Sequence, residues 1–320
     1  MTRTLPPLPP LDPQIAEFVT RMRADAARHP PREQVPIGEA REIAEAVRKP
    51  WRTGGPDVAS TTEHLVATRH GAVRIRVYKP ASTAPDKTFV YLHGGGWVLF
   101  SLDTHDRLMR EYAVRAGVAV VGVDYTRAPE ARFPQPIEEV VDVVRWLRAN
   151  GDRLGLDVSR LVVGGDSAGG NLSVAAALSL RDAGDAPLAG LVLNYGSYDM
   201  RNVSESVVRF GGGDYLLTTH MMHWFRWHYL NSPAEIEHPL ASPLRADLKN
   251  LPPSFMVITE LDVLHDDSIE MAKALREAGN DVEARVYPGT VHSFLEAMSI
   301  ADVSRRALDD TAAWLRRILA

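Results

Sequence analysis

The sequence predicts an α/β fold, an eight-stranded and mostly parallel sheet with helices on both faces. Three observations carry that expectation. Short, nearly continuous apolar runs recur along the chain, and helical periodicity separates most of them. The 320 residues suffice for one large α/β domain with a modest accessory segment. One apolar run passes straight into a glycine-flanked serine and then a helical pattern.

The elements follow in order. Residues 1–10 are proline-rich and read as a loosely ordered arm. From Asp12 onward Ile15, Phe18, Val19 and Met22 recur at helical spacing, and helix-forming composition returns between Gly38 and Val47. Pro50, Gly54, Gly55 and Pro56 are expected to break that pattern. Residues 1–60 therefore read as a helical segment set apart from residues 61–320. Two β-rich runs, Glu63–Arg69 and Val73–Tyr78, meet at His70-Gly71 and suggest a hairpin. Six apolar runs follow: Phe89–Leu92, Val118–Val123, Leu161–Val163, Leu188–Leu193, Phe255–Thr259 and Ala284–Tyr287. Helical patterns between them include Arg107–Ala116, Ile137–Asn150, Asn171–Ala183 and Ser268–Ala278. Runs apolar at every position suit strands buried on both faces. Residues about 196–250 interrupt the alternation, with three glycines at 211–213 and an aromatic stretch, His220–Tyr229.

Composition excludes several classes. Hydrophobic residues make up 45% and charged residues 24%, with a net charge of −5 and no basic stripe, so nucleic acid is not an expected partner. The chain has no cysteine, which removes disulfides, thiolate metal ligands and a catalytic thiol. No stretch approaches the ~18 apolar residues of a membrane span, and no secretory signal is read at the N-terminus. A cytoplasmic location is the resulting expectation, with no membrane partner.

The chemistry centres on Leu161–Asn171, where Gly165-Asp166-Ser167-Ala168-Gly169 sets a serine in a G-x-S-x-G frame between strand and helix. A side chain two residues before or after the serine would collide as the strand folds back. The helix N-terminus beneath favours negative charge developing during attack. The pentapeptide alone is a weak signal, since an incidental serine in a glycine-rich turn would look the same. It matches neither a dinucleotide fingerprint nor a lysine-ended phosphate loop. Upstream, Phe89–Leu92 runs into His93-Gly94-Gly95-Gly96-Trp97. A side-chain-free loop lets backbone N–H groups approach a developing alkoxide, so Gly95, Gly96 and Ala168 are the expected oxyanion donors.

A serine hydroxyl needs a base, oriented in turn by a carboxylate. The acid is expected after the next-to-last strand and the histidine after the last. Among eleven histidines only His292 follows Ala284–Tyr287. Asp262 lies nearest the end of Phe255–Thr259 and is the expected acid, with Asp266, Asp267 and then Glu260 as rivals. Asp266 also suits a helix-capping role.

These motifs, with Asp124–Glu130 and Leu102–Arg107, resemble the bacterial branch of the hormone-sensitive lipase family over about His93 to Phe294, and within it bacterial acetyl esterases. Three departures are mild: Thr126-Arg127 where the family usually has Arg-Leu, Val263 where it has proline, and Ser293 where glycine is commoner. The resemblance implies an α/β-hydrolase fold and carboxylesterase activity on short acyl chains. It also implies a cap built from the N-terminal helices and an insertion at 196–235. Neither metal nor organic cofactor is required.

Other features have plainer readings. Trp97, Tyr195 and Trp224 are candidate pocket residues; packing under the cap would explain Trp97 equally well. His220, His223 and His228 could suggest zinc, but an aromatic cap helix in which Met221, Trp224, Phe225 and Trp227 form a roof or pack on the core is the simpler reading. Asp166 and the Asp124–Glu130 loop read as supports for the active-site loops. The rival functions are an amidase or arylformamidase using the same three residues, and a non-catalytic ligand-binding member of the fold. Such binding proteins usually lack one of the three. A small ester is the expected partner, and a homodimer is compatible with the sequence.

Overall fold

The computed structural model describes residues 8–81 and 86–320, so residues 1–7 of the proline-rich opening lie outside the described residues. Eight strands form one sheet: β1 (Ser60–Thr68), β2 (Gly71–Lys79), β3 (Asp86–Leu92), β4 (Ala119–Asp124), β5 (Leu156–Asp166), β6 (Gly190–Asn194), β7 (Ser254–Leu261) and β8 (Val282–Val291). Their spatial order is β1-β2-β4-β3-β5-β6-β7-β8. β2 pairs antiparallel with β1 and β4, and every later pairing is parallel. The hairpin closes at Arg69-His70, one residue earlier than expected, with Thr68 opposite Gly71.

The apolar runs are apolar because both faces are covered. Phe89, Val90, Tyr91 and Leu92 in β3 and Leu191, Val192 and Leu193 in β6 are fully buried. α3 (Asp106–Ala116) packs with α9 (Asp302–Leu319) on one side. α4 (Gln135–Asn150), α5 (Ala168–Asp182) and α8 (His265–Glu277) cover the other. The central α5 is buried along most of its length, whereas α9 buries one stripe that includes Val303, Ala307, Leu308, Trp314 and Leu315. The sequence patterns named above did not include α9.

The N-terminal segment forms α1 (Pro13–Ala26) and α2 (Ile37–Arg52). Asp12 caps α1 by accepting the Gln14 N–H at 2.8 Å, and its own N–H donates to the Gly289 carbonyl at 3.0 Å. α2 continues through Pro50, contrary to the expected break. Proline removes one helical hydrogen bond near the helix end. The buried Trp51 beyond it packs edge-on to Phe18 at 4.6 Å, which holds the last turn in place. Between β6 and β7 the chain forms α6 (Glu205–Phe210) and α7 (Thr219–Tyr229). No helix among the described residues is long and apolar enough to cross a membrane.

Candidate active site

Ser167 sits between β5 and α5 with φ 54° and ψ −117°, a conformation that costs a non-glycine residue about 1–3 kcal/mol. The flanking glycines make that turn feasible. A Cβ on Gly165 or on Gly169 would be driven into the Leu92 carbonyl oxygen at the end of β3. Strand end and helix start therefore nest against each other, and the serine projects at the carboxyl edge of the sheet.

The structure brings His292 and Asp262, the residues expected from the sequence, into line with Ser167. Ser167 Oγ donates to His292 Nε2 at 2.9 Å, and His292 Nδ1 donates to Asp262 Oδ2 at 2.7 Å. Asp262 is fully buried and also accepts from Thr259 Oγ1 at 2.7 Å and from the Leu264 N–H at 3.0 Å. Burial opposes its charge, yet His292 and these donors hold its carboxyl below the usual carboxylate range.

The three rival acids do other work. Glu260 accepts the Gly289 N–H at 2.7 Å, which shapes the turn before His292. Asp266 lies inside the first turn of α8 rather than at its cap, and accepts the Ser206 N–H at 2.8 Å. Asp267 accepts the N–H groups of Tyr198 and Asp199 at 2.8 and 3.0 Å, and burial pushes its carboxyl up to about 7.

The glycine loop lies against this serine. Gly95 and Gly96 have φ of 107° and 60°, which a side chain would strain, and a Cβ would meet the Leu99 carbonyl or the Phe225 ring respectively. Among the described residues their N–H groups find no acceptor, and both residues face the same cavity as Ser167 and Ala168. Asp166 fixes the loop from below. It accepts from Tyr91 Oη at 2.8 Å and from the Gly94 N–H at 3.0 Å, and it pairs with His105 at 3.3 Å. His93 stacks on Tyr125 at 4.5 Å, and burial followed by nearby His105 pushes it down to about 4, so it is neutral at neutral pH. The Asp124–Glu130 loop supports the same region: Tyr125 Oη donates to the His93 carbonyl at 2.8 Å, and the Ala128 N–H to the Trp97 carbonyl at 2.8 Å.

The cavity above Ser167 has a volume of about 170 Å³. Trp97 lines it and stacks on Tyr229 at 4.5 Å, so it both borders the pocket and packs under the covering segment. Two pocket expectations need correction. Tyr195 does not reach the cavity lining; it is buried edge-on to the His292 ring at 5.1 Å. Trp224 faces away, into an outer depression shared with Trp227, His220 and His223. Helical period explains the split: Met221, Met222 and Phe225 share one face of α7 and line the cavity, while residues 220, 223, 224 and 227 take the opposite face. The roof is thus made by Met221 and Phe225 without Trp224 and Trp227. Sequence reading also missed Met22, Val47 and three arginines, 23, 32 and 48, all lining the cavity from the N-terminal segment. Among the described residues no group of three or more His, Cys, Asp or Glu could hold a metal ion.

Comparison with known proteins shows the family. A family model described as the alpha/beta hydrolase fold matches residues 89–296. A hyperthermophilic esterase from the archaeon Pyrobaculum calidifontis is similar at 34% identity, covering 97% of this chain and 100% of its own, with a TM-score of 0.92. A thermophilic carboxylesterase cloned from a metagenomic library shares 34% identity over 89% of this chain and 98% of its own, with a TM-score of 0.86. A thermostable esterase from Pseudomonas putida shares 29% identity over 98% and 99%, with a TM-score of 0.91.

Proposed function

Because the chain belongs to the α/β-hydrolase family and is a carboxylic ester hydrolase, we propose that it cleaves short-chain acyl esters through Ser167, His292 and Asp262. The observation that carries this reading is the continuous relay from Ser167 Oγ through both nitrogens of His292 to Asp262. His292 takes the serine proton as Ser167 Oγ attacks the ester carbonyl. Asp262 fixes the imidazole tautomer and stabilises the imidazolium. Gly95, Gly96 and Ala168 donate to the tetrahedral oxyanion, each donor contributing roughly 3 kcal/mol. The alcohol leaves with the proton from His292, and water then hydrolyses the acyl-enzyme by the same relay.

The N-terminal segment (residues 1–60) and the 196–235 insertion act as a cap over the hydrolase domain (residues 61–320), since both contribute side chains to the cavity lining. A cavity of about 170 Å³ roofed by Phe225 and Met221 leaves room for few methylenes. Turnover across acyl lengths is accordingly expected to peak at six carbons or fewer. A maximum beyond ten carbons would reject the short-chain assignment. Labelling of Ser167 by a fluorophosphonate tests the nucleophile directly, and matched ester and amide substrates separate an esterase from an amidase.

A further inference from the structure

The cavity carries a charge pattern that a plain short-chain ester does not require. Three arginines, Arg23, Arg32 and Arg48, line it, and among the described residues the only acid in the lining is Asp166. Asp166 is already engaged by Tyr91, Gly94 and His105. Arg23 is tied to the Gly213 carbonyl and stands 3.6 Å from Asp214. Arg48 is ion-paired with Glu296, lies over the Phe100 ring at 4.7 Å and donates to Ser293 Oγ at 3.2 Å. Arg32 differs. It sits on the short turn Arg32–Gln34 between α1 and α2, and its guanidinium makes no hydrogen bond or ion pair with any described residue. Glu33, next in the chain, is the opposite charge that it feels.

Burial lowers the pKa of both Arg32 and Arg48, and after burial Arg32 itself is the next cause at Arg48, which falls to about 10. Two guanidinia therefore sense each other in a partly desolvated space. Glu296 already balances Arg48, so it is Arg32 that stands at the cavity without a paired anion among the described residues. A planar carboxylate matches the guanidinium fork with two parallel hydrogen bonds, and Arg holds its charge there at any physiological pH.

We propose that this pocket selects esters carrying an anionic group, a carboxylate above all, which Arg32 binds while Ser167 meets the ester carbonyl. The proposal rests on the esterase reading and narrows its substrate class. The anion can belong to the acyl part, as in a half-ester of a dicarboxylic acid, or to the alcohol part, as in an acylated hydroxy acid.

Two substrate pairs separate these sources. Monomethyl glutarate against its primary amide places the charge on the acyl side; para-acetoxybenzoate against para-acetoxybenzamide places it on the alcohol side. Each kcat/KM is divided by the uncatalysed rate. The wild-type protein is expected to favour the anion in one pair by roughly tenfold or more, since a charged hydrogen-bonded pair is worth about that much. Arg32→Gln should bring that ratio close to unity, mainly through KM, and Arg32→Lys should restore part of it. Parity or a preference for the neutral partner in both pairs would overturn the proposal, as would a preference that survives Arg32→Gln. Absence of turnover on all four compounds and on p-nitrophenyl acetate would instead remove the esterase reading beneath it.

Discussion

Arg48 in α2 and Glu296, four residues past His292, form an ion pair in which both side chains are buried. The N-terminal segment is thereby fastened to the turn that presents His292. Arg48 also donates to Ser293 Oγ, and Ser293 holds φ 65°, a left-handed backbone that glycine would adopt without cost. Serine stands here in place of that glycine, with a hydroxyl that Arg48 engages.

Breaking one member of that pair leaves a buried charge unpaired. Glu296→Gln is expected to destabilise the fold by about 3–5 kcal/mol, read as a shift in the denaturant midpoint. Arg48→Met with Glu296→Gln together should cost less than the sum of the single changes. Additive losses would show that the two side chains act independently.

The Ser167 backbone offers a second measurement. Ser167→Ala and Ser167→Gly should both lack p-nitrophenyl acetate hydrolysis, while the glycine variant unfolds at a higher temperature than the alanine variant. The difference should reach about 1–3 kcal/mol, because only glycine relieves the positive φ. Retention of most activity in Ser167→Ala would eliminate the nucleophile assignment.

Steric limits in the glycine loop should be separable. Gly95→Ala pushes a methyl towards the Leu99 backbone, which cannot step aside. Gly96→Ala meets the Phe225 ring instead. Each is expected to lower kcat by roughly 10²–10³, the usual effect of losing one oxyanion donor. Adding Phe225→Ala should recover part of the loss in the Gly96 variant and none in the Gly95 variant.

Asp267 makes stability depend on pH. Its carboxyl keeps a proton up to about pH 7 in the folded chain, whereas an unfolded aspartate loses it near pH ~4. The folded state binds more protons in that window, so this group's contribution is fully present below about pH 4 and is lost as pH rises towards 7. Asp267→Asn should therefore gain on the wild type as pH increases, by a few kcal/mol at most between pH ~4 and ~8. Denaturation curves at several pH values test this. A wild-type-minus-variant difference that does not change with pH would contradict it.

The strands and the order of Ser167, Asp262 and His292 were legible because each has a local signature. Strands buried on both faces must be apolar throughout, and a tight strand–helix turn demands glycine at fixed offsets from Ser167. His292 was identified among many histidines by its place after the final strand, and the 2.9 Å contact to Ser167 agrees. Asp262 was chosen for nearness to its strand end, and its hydrogen bond to His292 agrees with that choice. Pro50 was misjudged because a local breaker was weighed without the packing of Trp51 on Phe18.

By itself, then, the sequence determined the strands, the order of the loops that follow them and the residue types at the serine turn, since each leaves a periodicity or a fixed spacing along the chain. Only the tertiary structure decided which side chains form the pocket wall. α7 is apolar and aromatic around most of its circumference, so its pattern could not say that Phe225 points inward and Trp224 outward. Arg32 lies on a short turn without a period, and it reaches the cavity only because the packing of α1 and α2 brings that turn there. Such long-range placement depends on what each face packs against, a quantity no local stretch of residues records.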